Sequence, residues 1–172
     1  MRVLLLLLLL LSVQSWAVTE QYDKQIKTAS ARYLPQWQWQ WWKAQLYQES
    51  LFNPSAISHA GAKGIAQFMP ATCNEVFKQL GFECQPYDAN KSIRAGAFYM
   101  SRLRKIWRAR RPESDRRAWT QCSYNYGAGN CIKAQAQCGN HRSIEQSMSC
   151  LPNETQTYIN RIKRYFERFK CD

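Results

Sequence analysis

The chain has 172 residues, 45% of them hydrophobic and 13% aromatic, enough for one domain with a full core. Lys and Arg number 24 against 12 Asp and Glu, so the formal net charge of +12 favours polyanionic partners. The seven cysteines include no Cys-x-x-Cys pair and only His59 and His141 could assist them, which argues against a metal site and for disulfides in an oxidising compartment.

At the N-terminus, Arg2 precedes an apolar run from Leu4 to Leu11, and Ser15-Trp16-Ala17 supplies the small residues a signal peptidase requires. Residues 1–17 therefore read as a signal peptide, with cleavage after Ala17, and residues 18–172 as the mature domain. The run is shorter than the roughly 20 residues that span a bilayer comfortably. An uncleaved anchor is the alternative. Cleavage would lower the net charge by one, because only Arg2 is lost.

A modest helix is expected from Tyr22 to Leu34, ended by Pro35. The next, Trp37 to Gln48, repeats Trp37, Trp41, Ala44 and Tyr47 at helical spacing. Trp39 and Trp42 widen its apolar face, implying burial on two sides or an exposed aromatic ridge. Asn53-Pro54 biases the chain away from helix, so this helix should stop near Glu49. Ser58 to Ile65 leaves room for a small hairpin.

Thr72 and Glu75 have capping-box spacing and predict a helix that Gly81 closes. A long helix is predicted from Lys91 to Arg110, and Pro112 should open the next, carrying Ala118, Trp119 and Cys122 to the core before Gly127. Asn130 to Gln137 reads as a short helix, and Ser143 with Gln146 as a second capping box. The last helix opens near Pro152, with Tyr158, Ile159, Ile162, Phe166 and Phe169 on one face. The expected fold is mainly α, one domain of packed helices. Cys73 and Cys84 bracket a short helix and are the first choice for a disulfide. Cys138 with Cys150 is the second, and the other cysteines remain unassigned.

The densest signal is Glu49-Ser50-x-Phe52-Asn53-Pro54-x-Ala56-x-Ser58-x-Ala60-Gly61-Ala62-x-Gly64-x-Ala66-Gln67-x-Met69-Pro70-x-Thr72. One carboxylate closes an aromatic-rich helix, and a glycine-punctuated loop follows. A carboxyl at a helix C-terminus, packed against apolar rings, is pushed toward its neutral form and can serve as a general acid.

This segment resembles the signature of the soluble lytic transglycosylase (SLT) family, relatives of goose-type lysozyme that cut peptidoglycan. Ser92 to Met100 is similar to the family's helix under the cleft, where Gly96 permits close approach. Tyr124-Asn125-x-Gly127 and Glu154-Thr155-x-x-Tyr158-Ile159 resemble two further family motifs. Ser123 and Tyr126 depart from the pattern by replacing alanines, and Tyr126 could narrow a sugar subsite.

The resemblance implies a lysozyme-like domain in which Glu49 is the single acid and base. The C6 hydroxyl of N-acetylmuramic acid (MurNAc) would attack its own C1, giving a 1,6-anhydro product without a second carboxylate or any cofactor. It also implies sugar contacts by Ser58, Gln67, Met69, Tyr124, Asn125, Glu154 and Tyr158. Four of these have a plainer alternative: Ser58 could fix a turn, Met69 could pack, Tyr124 could be a core tyrosine, and Glu154 suits the first turn of a helix.

The expected partners are peptidoglycan strands and, through charge, anionic wall or membrane surfaces, in the periplasm or outside the cell. Nucleic acid is not expected for an exported chain, and the oligomeric state stays open. A hydrolytic muramidase of the same fold and a non-catalytic cationic wall- or membrane-binding protein are the competing readings.

Overall fold

The computed structural model describes residues 20–171, so the expected signal peptide at residues 1–17 lies outside the described residues. Seven α-helices appear among them: α1 (Asp23–Tyr33), α2 (Gln40–Ser50), α3 (Pro70–Gln79), α4 (Ala89–Ile106), α5 (Glu113–Tyr126), α6 (Ala128–Gln137) and α7 (Asn153–Lys170). A 3-10 turn, Glu145–Cys150, links α6 to α7. No helix among the described residues is long and apolar enough to cross a membrane.

The centre of the fold is the packing of α2 on α7. Trp41 stacks on Phe166 with ring centroids 3.8 Å apart, and Tyr47 meets the edges of Tyr165 and Phe169. The apolar face of α7, including Tyr158, Ile162, Phe166 and Phe169, is spent on this core. An interfacial role for that face is therefore disfavoured. Lys43 of α2 is buried and ion-paired with Asp23 of α1 at 2.8 Å, which ties the first two helices together.

Beneath α2 lies α4, and Gly96 sets their approach. A Cβ at Gly96 would come within 2.6 Å of the Trp42 ring. Trp37 is also buried, and its indole N–H donates to Glu113 Oε1 at 2.8 Å. Arg117 lies 3.5 Å from the Trp41 centroid. Two groups this close to one ring must occupy opposite faces, so Trp41 is sandwiched between Phe166 and Arg117. Trp37 and Trp42 are buried and Trp39 and Trp41 half-buried, so the four rings do not form an exposed ridge.

Several expected boundaries are corrected. α3 begins at Pro70, not at a Thr72 cap: Met69 adopts the extended N-cap conformation and Pro70 pre-sets the first helical φ. No side-chain cap forms there, nor at the 3-10 turn, where Ile144 is the N-cap in place of Ser143. α4 starts at Ala89, with the Asp88 side chain accepting from Lys91 N, and stops at Ile106 rather than Arg110. Tertiary packing ends it. Trp107 leaves the helix to stack on Trp119 and to donate its indole N–H to Ser123 Oγ at 3.0 Å. Ser123 thus supplies the Trp107 indole with an acceptor that an alanine could not.

The expected hairpin is smaller than a ladder and extends further along the chain. Single antiparallel bridges join Ile57 to Lys63 and Lys63 to Phe68. Disulfides link Cys73–Cys84 and Cys138–Cys150, and a third, Cys122–Cys131, joins α5 to α6. Each closes a loop of about a dozen residues, worth about 3 kcal/mol by the loop-entropy argument. Cys171 is free and exposed.

Candidate active site

Glu49 occupies the last turn of α2, where unpaired carbonyls concentrate partial negative charge. The chain then reverses through two consecutive left-handed residues, Leu51 (φ 54°) and Phe52 (φ 63°). Such conformations cost non-glycine residues about 1–2 kcal/mol each. Phe52 is held in place by the rings of Tyr22, Tyr47 and Phe169, which bury it almost completely. Ser50 Oγ donates to Ile65 O at 2.9 Å and fastens the end of α2 to the following loop. The position of Glu49 is therefore set by backbone strain, aromatic packing and a side-chain tether together.

That loop forms one wall of a cleft of about 570 Å³. Gly64 is indispensable to its path: its φ is +78°, and a Cβ would fall 1.8 Å from the Pro86 carbonyl oxygen. Ser58 Oγ accepts from Ala62 N at 3.0 Å. Gln67, itself at φ 50°, uses its Nε2 amide to donate to Gly64 O at 2.8 Å and Ala56 O at 3.3 Å. Opposite this wall, α7 presents Glu154, Thr157, Tyr158 and Arg161, while the end of α5 presents Tyr124 and Asn125.

Glu49 lines the floor. Desolvation pushes its carboxyl pKa up to about 8, a rise that the hydrogen bond from Tyr158 only partly offsets. The Tyr158 hydroxyl donates to Glu49 Oε1 at 2.5 Å. Burial, and then the neighbouring Glu49 charge, raise the Tyr158 and Tyr124 phenols well above their ordinary range. Both therefore remain protonated donors. Tyr124 donates to Ala66 O at 2.7 Å, pinning the loop against α5, and Thr155 Oγ1 donates to Asn125 Oδ1 at 2.9 Å.

The structure brings Glu49, Ser58, Gln67, Met69, Tyr124, Asn125, Glu154 and Tyr158 into this one cleft. Met69 is exposed at the rim, and Glu154 is exposed on the first turn of α7. Tyr126 is exposed and is not among the residues that line this cleft. Arg161 belongs to none of the motifs read in the sequence. Its place three residues beyond Tyr158 puts it on the same helical face and explains its presence here.

A family model described as the Transglycosylase SLT domain matches residues 27–147. Among curated relatives, membrane-bound lytic murein transglycosylase F of Idiomarina loihiensis is 29% identical over 154 residues, covering 77% of this chain and 33% of its own. The protein of that name from Desulfosudis oleivorans is 33% identical over 119 residues, covering 69% of this chain and 24% of its own. The chain thus spans a third or less of these relatives' length.

The fold is similar to an inactive mutant of lytic transglycosylase Slt from Pseudomonas aeruginosa, with TM-score 0.72, 21% identity, and 86% of this chain and 23% of that chain covered. It is also similar to the 70 kDa soluble lytic transglycosylase of Escherichia coli, with TM-score 0.70, 23% identity, and coverages of 88% and 25%.

Proposed function

Because this chain belongs to the transglycosylase SLT domain family, we propose that residues 18–172 form a peptidoglycan lytic transglycosylase domain. It cleaves the β-1,4 bond between MurNAc and N-acetylglucosamine and leaves a 1,6-anhydroMurNAc end. The observation that carries this reading is Glu49, enclosed on the cleft floor with its pKa pushed up to about 8. Tyr158 occupies Oε1, so Oε2 carries the acidic proton toward the glycosidic oxygen. The resulting carboxylate then takes the proton of the attacking C6 hydroxyl. That nucleophile is tethered to the reacting carbon and loses little translational entropy.

The hydrogen-bond inventory supports an acetamido site beside Glu49. Ser58 Oγ accepts from Ala62 and retains its own proton to donate. Both Nε2 protons of Gln67 are committed to the loop, leaving Oε1 as an acceptor. One donor and one acceptor match the carbonyl and N–H of an N-acetyl group, and Asn125 Nδ2 adds a donor at the far wall. Glu154 is the other carboxylate of the lining and is exposed, so it serves substrate contact or helix support.

The relatives are named membrane-bound, which fits an exported domain that works where the wall is. Residues 1–17 supply the export signal, and the positive surface draws the domain to anionic wall polymers.

Mass spectrometry of peptidoglycan digested by the wild type and by Glu49→Gln tests the reading. Anhydro ends from the wild type alone are expected. Reducing ends would make the enzyme a hydrolase, and wall retention without cleavage would make it a binding protein.

A further inference from the structure

On the flank of α7 away from Glu49, a second cavity of about 550 Å³ opens between α2, α5, the segment before α7 and α7 itself. Its lining includes Trp41, Arg117 and Gln121. Gln121 has a buried donor without an acceptor, and Arg117 is a half-exposed guanidinium without a side-chain partner. Gln121 is 2% exposed, and its Nε2 has no hydrogen-bond partner. A buried amide left this way loses on the order of 1–3 kcal/mol.

Arg117 lies flat on Trp41, but stacking satisfies only the face of the guanidinium and not the N–H groups in its plane. Glu113, one turn before it, is engaged by Arg104, Arg116 and Trp37, and no ion pair of Arg117 forms among the described residues. Burial pushes the Arg117 pKa down to about 10, with Glu113 opposing the fall, so the group is still charged at neutral pH.

A planar guanidinium and an amide N–H in one cavity are complementary to a carboxylate, which accepts from both. Asp115 also lines the cavity, its Oδ1 accepting from Ile144 N at 2.9 Å, and the rim carries the exposed side chains of Glu145 and Glu167 beside Lys163. That mixture suits a ligand with amide or amine groups around its carboxylate better than a bare polyanion.

The cavity is also connected to the cleft. A shallow groove along α7 shares Thr157 with the cleft and Asn160, Lys163 and Glu167 with the cavity.

We infer that the Trp41–Arg117–Gln121 cavity binds a carboxylate of a short peptide, the peptide being one carried by the glycan strand in the cleft. The link to the glycan rests on the function proposed above; the carboxylate site rests on the unpartnered Gln121 amide beside the Arg117 guanidinium.

The test uses the full chain and the free tetrapeptide of peptidoglycan, prepared with its carboxylates free or amidated. Titration is followed by calorimetry and by chemical-shift changes. The probe has no glycosidic bond, so binding is read whether or not the protein cleaves glycan. The free acid is expected to bind and to perturb the Trp41 indole, and amidation should abolish this. Arg117→Gln should weaken binding roughly tenfold or more, the loss expected for a charge-assisted hydrogen bond. Gln121→Leu, which fills the same volume without a donor, should weaken it several-fold, and circular dichroism checks that both variants fold.

Equal binding of the amidated peptide, equal binding by folded variants, or no binding of the free acid would each overturn the proposal. Acetate binding as tightly as the peptide would also overturn it, by reducing the cavity to a general anion site. A wild type that binds the peptide but cuts no peptidoglycan would refute the enzymatic reading and leave the carboxylate site standing.

Discussion

Tyr158 donates its phenolic proton to Oε1 of Glu49, joining residues 109 positions apart across the floor of the cleft. A donor aimed at a carboxylate stabilises the charged form, while burial of the same group stabilises the neutral form. Desolvation prevails, and Glu49 stays protonated to about pH 8. Tyr158 therefore orients the acid and limits how far its pKa rises.

Glu49→Gln should fold normally and retain less than about one part in 10² of the wild-type cleavage rate, the lower bound for losing general acid–base catalysis. Release of soluble products from purified walls measures this.

Cleavage should fall as pH rises through about 8, because only the protonated Glu49 can serve the leaving oxygen. Stability should follow the same group. In the unfolded chain Glu49 ionises near 4.5, the ordinary value for a glutamate, while the folded protein holds the proton to about 8. The folded state binds the extra proton between these values, so this contribution favours folding at low pH and is lost as pH rises from about 4.5 to about 8. Glu49→Gln removes the dependence. It should be more stable than wild type by an amount that grows with pH and levels off above 8. Urea titrations at several pH values would show the divergence, and parallel curves would contradict it.

Tyr158→Phe should lower kcat and move the alkaline limb of the activity profile upward. The missing hydroxyl had stabilised the carboxylate, so its loss raises the Glu49 pKa further. A profile unchanged in position but reduced in height would assign Tyr158 to packing alone.

Much of this site was legible because its residues cluster in the chain. Glu49 to Met69 supplies the acid, the turn and most of one wall, and their spacing is visible without coordinates. Tyr124 and Tyr158 were legible only as motif members. Nothing in the sequence states that the Tyr158 hydroxyl reaches Glu49 or that the Tyr124 hydroxyl reaches Ala66, since both are long-range contacts fixed by the packing of α2, α5 and α7. The capping boxes misled for a local reason: Met69 caps α3 three residues before Thr72 because Pro70 opens the helix, and Ile144 displaces Ser143. Cys122–Cys131 escaped because Gly127 marks the end of α5 but not the angle at which α6 leaves it, and that angle brings the two cysteines together.

Gly96→Ala should lower stability by roughly 1–3 kcal/mol, because the new methyl meets the buried Trp42 ring at 2.6 Å and one of the two helices must shift. Each kcal/mol should lower Tm by roughly 2–4 °C for a domain of this size. Thermal melts measure it, and Gly129→Ala, with open space at the Cβ position, is the control.

Retention on purified walls should weaken as salt increases, since the Debye length shortens to about 10 Å at 0.1 M and the Trp41 faces are already occupied. Pull-down across a salt series tests this, and retention independent of salt would require a contact of another kind.

The carbonyl of Pro86 presses against Gly64 from behind the cleft wall, two residues beyond the Cys73–Cys84 bridge. A wall braced from outside in this way is a fixed jaw and not a lid. Under the function proposed above, a glycan strand would meet a site already in its final shape, with no flap to open before it enters.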